Sequence, residues 1–201
     1  MKIGDNKAPE ILANLPVLFF ERQKDWALWL RKNHANTTGI WLRIAKKSPG
    51  NQSLTYHDAL EAALCYGWID GQKRSDSEAA WLQKFTPRGK KSIWSKINRE
   101  KALALIESGQ MQPAGLREIK RAKSDGRWEA AYDSPSMAAI PPDLQAALDK
   151  NHRAQAFFKT LNRQNRYAVL FRIQTAKKAE VRTRRIQQFV QMLERNEKLH
   201  P

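Results

Sequence analysis

Residues 85–99 hold the side chains in this sequence that are best suited to bind an anion. The stretch combines five basic side chains, two serines that are candidate helix caps, and Trp94, all at the start of one predicted helix. Backbone N–H groups in the first turn of a helix lack partners and carry partial positive charge, so cations beside them favour a phosphate, sulfate or carboxylate. The alternative is a solvated loop that Trp94 and Ile97 anchor to a core.

Two further blocks, one around Asp70 and one around Arg127, extend this candidate site. If Ile69 faces the core of a predicted strand, Asp70 lies on the sheet surface, where it orients a ligand or serves as a turn residue. An indole beside several cations suits an aromatic or sugar-like anion, whereas core packing explains most tryptophans. The predicted anion-binding residues are Trp68, Asp70, Arg88, Lys90, Lys91, Ser92, Trp94, Ser95, Asn98, Arg127 and Trp128.

The C-terminal quarter of the chain contains a second group of cations. Residues 151–201 hold twelve lysines and arginines against three glutamates, a net charge of +9. A helix of this kind either lies against phosphates, with binding that weakens as salt rises, or forms a solvated face whose apolar stripe packs on a core. The residues predicted to contact a polyanion are Lys177, Lys178, Arg182, Arg184 and Arg185.

The single cysteine and the four histidines predict neither a catalytic dyad nor a metal site. Cys65 and His57 lie eight positions apart on one predicted helix, and the rise of about 12 Å between them is too long for a dyad. We therefore expect Cys65 to be a small core residue. His34, His152 and His200 lack metal-ligand spacing, so we expect no metal and no cofactor. A lone cysteine forms no internal disulfide, which favours a reducing cytoplasm.

The net charge restricts the class of partner. The 201 residues carry a formal charge of +16, although 41% apolar and 28% charged residues are typical of a globular protein. The charge favours nucleic acid, an anionic membrane surface or an anionic small molecule. Zinc-finger, RNA-binding, P-loop and dinucleotide motifs are absent from the sequence, as is an apolar run that could span a membrane. Polar residues and a proline interrupt the apolar run at 11–20, so secretion is not expected.

Hydrophobic periodicity predicts an α+β fold, with a small antiparallel sheet and flanking helices followed by an all-helical C-terminal region. The predicted elements are a helix at 19–33, a strand at 40–44, a turn at 46–51, a helix capped by Thr55 and ended by Gly67, strands at 68–74 and 80–85, and helices from Ser95 and Pro113. Prolines at 134–142 predict a linker. Two domains follow, an α+β domain at 1–135 and a basic helical region at 136–201.

Seven ordered blocks carry a resemblance to a known family. They are ALCYGWIDGQ at 63–72, FTPR at 85–88, KSIWSKIN at 91–98, GRW at 126–128, AY at 131–132, AKKAEVR at 176–182 and RRI at 184–186. These blocks resemble the bacterial YdeI/OmpD-associated family, also called bacteriocin-protection proteins, over residues 19–193. Val181 is a departure, because the family more usually has threonine between its glutamate and its arginine.

The resemblance implies protection against bacteriocins or cationic antimicrobial peptides, through binding of an anionic ligand or partner, and it carries no catalytic residues. Two alternatives remain open. One is a nucleic-acid-binding protein without sequence preference, whose affinity falls steeply with salt. The other is an enzyme acting on an anionic small molecule, for which Asp70 is the candidate carboxylate.

Overall fold

The computed structural model describes residues 11–46 and 54–201. The strands are β1 (Ile11–Leu12), β2 (Leu15–Phe19), β3 (Ile40–Ala45), β4 (Trp68–Ser75) and β5 (Ala80–Pro87). The helices are α1 (Gln23–Asn33), α2 (Tyr56–Cys65), α3 (Lys96–Glu107), α4 (Pro113–Ser124), α5 (Pro142–Asp149), α6 (His152–Thr160), α7 (Arg163–Gln174) and α8 (Ala179–Glu194). The described residues divide into two compact units, one consisting of those up to Ser92 together with Asn98–Trp128, the other of Ile93–Ile97 and Glu129–Pro201.

The five strands form one mixed sheet in the order β1-β2-β3-β5-β4. Strands β3, β4 and β5 confirm the three predicted strands, and they pair antiparallel as expected. The sheet is larger than predicted, because β2 pairs in parallel with β3 and β1 pairs with β2. Ala13 and Asn14 join these two strands with φ angles of 50° and 63°, the geometry of a tight hairpin. Phe19, predicted to lie in the first helix, instead ends β2.

Aromatic rings join the first two helices to the sheet. Trp26 of α1 is fully buried, and its ring centroid lies 5.8 Å from that of Phe85 and 6.3 Å from that of Trp68. Its Nε1 donates a hydrogen bond to the carbonyl of Ala59 in α2 at 3.0 Å. The packing fixes α1 and α2 on one face of the sheet and so positions the end of β5, where the candidate site begins.

Helix α2 has the ends that the sequence predicts. The Thr55 hydroxyl accepts a hydrogen bond from the Asp58 N–H at 3.2 Å and donates one to Asp58 Oδ2 at 2.7 Å. Gly67, beyond the other end, has a φ of +73°, and a Cβ there would lie 2.8 Å from Cγ of Glu118. Glycine meets both requirements, so the chain turns from α2 directly into β4 and passes beside α4.

The C-terminal part of the second unit is helical, as predicted. The proline-rich segment contains the start of α5, because Pro142 is its first residue and a missing N–H costs nothing there. The core of α5–α8 consists of Leu144, Leu148, Phe158, Val169, Leu170, Ile173, Ile186, Phe189 and Leu193. Among the described residues, no helix is long and apolar enough to cross a membrane. The turn predicted at 46–51 lies outside those residues, apart from Lys46.

Candidate anion-binding surface

The candidate site begins at a closed turn after β5. The backbone N–H of Arg88 donates to the Gly67 carbonyl at 2.9 Å, which fixes the turn to the end of α2. The Ser92 N–H donates to the Gly89 carbonyl at 3.0 Å, and the Gly89 N–H donates to Ser92 Oγ at 2.9 Å. The Ser92 hydroxyl therefore closes the turn, and Lys90 and Lys91 lie exposed at its tip.

Arg121 of α4 and Arg127, which lies three residues beyond the end of that helix, hold this turn in place. Arg121 Nη2 donates to the carbonyls of Arg88 and Gly89, each at 3.1 Å, and the same group is paired with Glu118. Arg127 Nη1 donates to the Ser92 carbonyl at 2.7 Å. The turn is thus built onto α4, and its two lysines are presented from a fixed base.

The charge of Arg127 is balanced inside the protein. The residue is 5% exposed, and its Nε lies 2.8 Å from both carboxylate oxygens of Asp125. Arg88 is also buried, at 4% exposure. Of the predicted anion-binding cations, Lys90 and Lys91 are the ones that the structure places at the surface.

The predicted tryptophans lie in cores. Trp68 is 1% exposed and donates its indole N–H to the His34 carbonyl at 3.1 Å. Trp128 is buried under the ammonium of Lys123, which lies 5.5 Å from the ring centroid. On β4 it is therefore Trp68 that packs inward, while the Asp70 carboxylate accepts a hydrogen bond from the Tyr56 hydroxyl at 2.8 Å.

The remaining predicted residues divide between the two units. Trp94 and Ser95 belong to the second unit, where Trp94 is buried and accepts a hydrogen bond from the Tyr132 N–H at 3.0 Å through its carbonyl. Ser95 forms an isolated β-bridge with Tyr132. Asn98 lies on α3 in the first unit. The structure therefore brings Arg88, Lys90, Lys91, Ser92 and Arg127 together around one turn.

Helix α4 contributes surface cations that the prediction does not include. Its buried stripe is Ala114, Gly115, Ile119 and Ala122. Arg117, Lys120 and Lys123 lie on the opposite, exposed face, three residues apart. This spacing is readable in the sequence, because apolar residues at helical intervals leave the basic positions on the solvent side.

The C-terminal cations fall into two groups. Arg182 binds both oxygens of Asp143, at 2.5 and 2.8 Å, and the Ile173 carbonyl at 3.0 Å, while Arg185 donates to the Arg172 carbonyl. The hydrogen bond from Arg182 holds the pKa of Asp143 below its usual value, against the opposing effect of burial. The residues of the group that are exposed are Lys177, Lys178 and Arg184.

Cys65 is confirmed as a core residue. It is 7% exposed and lies in the wall of an open cleft of about 330 Å³ formed by α1, α2 and the segment that contains Gln110 and Gln112. Burial, reinforced by the nearby charge of Glu61, raises the pKa of its thiol to about 11. His57 instead has Lys101 Nζ 2.5 Å from its Nε2. In the described part of the chain, no three His, Cys, Asp or Glu side chains come together as a metal site requires.

These features define a basic α+β protein of two units, with buried arginines and exposed surface cations. Residues 137–196 match the family described as Bacteriocin-protection, YdeI or OmpD-Associated, and residues 18–118 match a Domain of unknown function (DUF8412). The chain therefore carries a domain of the YdeI/OmpD-associated family at residues 137–196 and a DUF8412 domain at residues 18–118. No curated protein and no solved structure matches the chain significantly.

The family predicted from the sequence is thus confirmed at residues 137–196, whereas the N-terminal blocks of the resemblance fall in a different domain. The blocks at 176–182 and 184–186 lie inside the bacteriocin-protection match. The blocks at 63–72 and 85–88, and the turn that carries Lys90 and Lys91, lie inside the domain of unknown function. The candidate anion-binding turn and the bacteriocin-protection domain are therefore separate parts of the chain.

Proposed function

We propose that this protein contributes to the protection of bacteria against bacteriocins or cationic antimicrobial peptides by binding an anionic partner in the cytoplasm. The match at 137–196 supports the biological role, because the family description names bacteriocin protection. The single buried cysteine supports a reducing compartment, where a free thiol persists. We propose binding and not catalysis, because Lys90 and Lys91 at the tip of the turn are exposed cations, whereas Arg88 and Arg127 at its base are buried.

The distribution of charges in the structure is the observation that supports an anionic partner. Glu118, Asp125 and Asp143 are each paired with an arginine of the structure itself. Each of these ion pairs neutralises one carboxylate and one arginine. The excess positive charge of the chain, whose net charge is +16, therefore lies on exposed side chains such as Lys90 and Lys91. Exposed cations attract polyanions and anionic ligands over long range.

Direct capture of the antimicrobial peptide is the less physical route. Bacteriocins of the cationic class and this chain carry charges of the same sign, and like charges oppose association. An anionic signal, a nucleic acid or an anionic envelope precursor meets no such barrier. The protein therefore acts on an anionic component of the cell.

The test joins protection to binding. Expression of the protein in a sensitive bacterial strain is expected to raise survival in the presence of a cationic antimicrobial peptide, and purified protein is expected to bind heparin and inorganic phosphate in calorimetry. The double variant Lys90→Gln with Lys91→Gln is expected to bind phosphate several-fold more weakly, because the exposed cations of the turn are removed. Unchanged survival on expression, or the absence of any anion binding by the wild type, contradicts the proposal.

A further inference from the structure

We infer that the exposed face of α4, together with the turn that carries Lys90 and Lys91, is a surface for the phosphodiester backbone of a nucleic acid. This inference rests on the proposed function and names the partner class. The α4 cations are Arg117, Lys120 and Lys123. From the first to the last of these residues the helix rises about 9 Å, so the cations form a row that an extended polyanion can follow.

The row is free of local neutralisation. Among the described residues, Arg117 and Lys120 form no ion pair with a carboxylate, and Lys123 lies over the indole of Trp128. The acidic neighbours on the same segment, Glu118 and Asp125, are occupied by Arg121 and Arg127. Arginines of the protein itself thus neutralise these carboxylates, and the surface cations are available to an external partner.

The helix dipole does not account for this row. Cations stabilise the last turn of a helix, which describes Lys123, but the effect fades within one turn. Arg117 is the fifth residue of α4, and the first turn of the helix contains no acidic residue. The exposed charged residues of α4 are therefore positive from Arg117 to Lys123, as expected of a surface for phosphates.

The turn adds to the same surface. Arg121, which follows Lys120 on α4, holds the carbonyls of Arg88 and Gly89, and Lys90 comes directly after them. Lys90 and Lys91 are thus anchored to the C-terminal half of α4. The turn and α4 are joined by these hydrogen bonds, and together they carry five exposed cations of the first unit.

A lipid surface fits this face less well. Helices that lie in a membrane interface insert an apolar face beneath their cations. The apolar face of α4, with Ala114, Ile119 and Ala122, is already buried in the first unit. Leu116 is the one large apolar side chain exposed on this helix, so electrostatic contact with phosphates is what the face offers.

The contrast with α8 supports the choice of α4. Arg182 and Arg185 of α8 are bound within the second unit, and the exposed charged residues of that helix are Arg184, Glu180 one turn before it and Glu194 at the C-terminal end. Its exposed charges therefore nearly cancel. The carboxylates beside the α4 cations, the half-buried Glu118 and the exposed Asp125, are each paired with an arginine.

The experiment measures binding of a fluorescently labelled 20-base-pair DNA duplex, and of an RNA duplex of the same sequence, between 50 and 200 mM NaCl. The triple variant Arg117→Gln, Lys120→Gln and Lys123→Gln is expected to lose at least about tenfold in affinity and to reduce the salt slope by about 2 to 3. The matched control removes the same charge from the second unit, as Lys150→Gln, Arg153→Gln and Lys159→Gln, all exposed positions. It is expected to change the slope by less than about 1.

A charge-preserving variant, Arg117→Lys with Lys120→Arg and Lys123→Arg, is expected to bind like the wild type and so separates charge from folding. Equal losses in both glutamine triples, or no loss in the α4 triple, overturn the inference. Binding to vesicles containing phosphatidylglycerol without binding to either duplex overturns it in favour of lipid. If heparin and phosphate bind while both duplexes do not, this inference fails alone; if none of them binds, the proposed function fails as well.

Discussion

The thiol of Cys65 and the guanidinium of Arg127 show how burial changes what a reactive side chain does. Arg127 is surrounded by Asp125 and the Ser92 carbonyl, so its charge serves to hold the turn after β5. Burial keeps the Cys65 thiol protonated by raising its pKa to about 11. From residue type alone, Arg127 is a candidate anion-binding cation and Cys65 a candidate nucleophile. Their surroundings make Arg127 a residue that holds the turn and Cys65 an unreactive core residue.

We expect Cys65 to react slowly with a thiol-specific disulfide reagent at pH 7. Raising the pKa from 9.0 to about 11 lowers the thiolate fraction about 100-fold, and the thiolate is the reacting species. Native protein is therefore expected to label at least about 100-fold more slowly than protein in guanidinium chloride, followed by absorbance of the released thiol. Comparable rates in the two states would show that the thiol is accessible through the neighbouring cleft.

At the scale of an element, helix α8 likewise contains arginines that bind within the protein and one arginine that stays exposed. Arg182 reaches Asp143, next to the start of α5, and the carbonyl of Ile173 near the end of α7. Arg185 binds the Arg172 carbonyl, also near the end of α7, where carbonyls lack helical partners. Two of the five predicted polyanion contacts thus join helices of the second unit, and Arg184 stays on the solvent side.

We expect Arg182→Gln to lower the free energy of unfolding by about 1–2 kcal/mol, since a partly exposed ion pair and a charged hydrogen bond are lost. The matched control Arg184→Gln removes an exposed charge and is expected to change it by less than about 0.5 kcal/mol. Urea unfolding at pH 7 compares the two. Equal effects would contradict the structural role of Arg182.

The pH dependence of this difference follows from Asp143. Its pKa in the folded protein lies below the ordinary value of 3.8, chiefly because Arg182 donates to it. A carboxylate with a depressed pKa contributes stability that is fully present above the unfolded value and is lost as the pH falls through the folded one. The gap between wild type and Arg182→Gln is therefore expected to be constant from pH 5 to 8 and to shrink below about pH 4.

At the scale of the whole molecule, the sequence predicts elements with local signals and misses those with distant partners. Thr55 and Gly67 mark the ends of α2, and residue alternation finds β3, β4 and β5. Strand β2 has five residues and lies next to the edge strand β1. It pairs in parallel with β3 through a crossover that contains α1, so the sequence around β2 gives little local indication of the pairing.

The candidate site divides in the same way. Lys90 and Lys91 lie at the tip of a turn, where the sequence places exposed cations. Arg88 and Arg127 are buried because the turn meets the end of α4, a contact between segments about 35 residues apart that local spacing does not show. The α4 cations were within reach of the sequence, since Ile119 and Ala122 define the buried stripe and leave Lys120 and Lys123 outside.

The net charge of +16 yields the last prediction, because self-repulsion lowers the stability of the compact state and a bound polyanion relieves it. Inorganic tripolyphosphate at millimolar concentration is expected to raise the thermal midpoint by several degrees more than NaCl of equal ionic strength, since a ligand at 100 times its Kd stabilises by about 2.7 kcal/mol. Chloride screens without following the row of cations. Calorimetry of the glutamine triple of α4 is expected to show a clearly smaller shift, while the control triple of the second unit keeps most of it. Equal shifts in all three proteins would mean that tripolyphosphate acts on the overall charge, without a surface on α4.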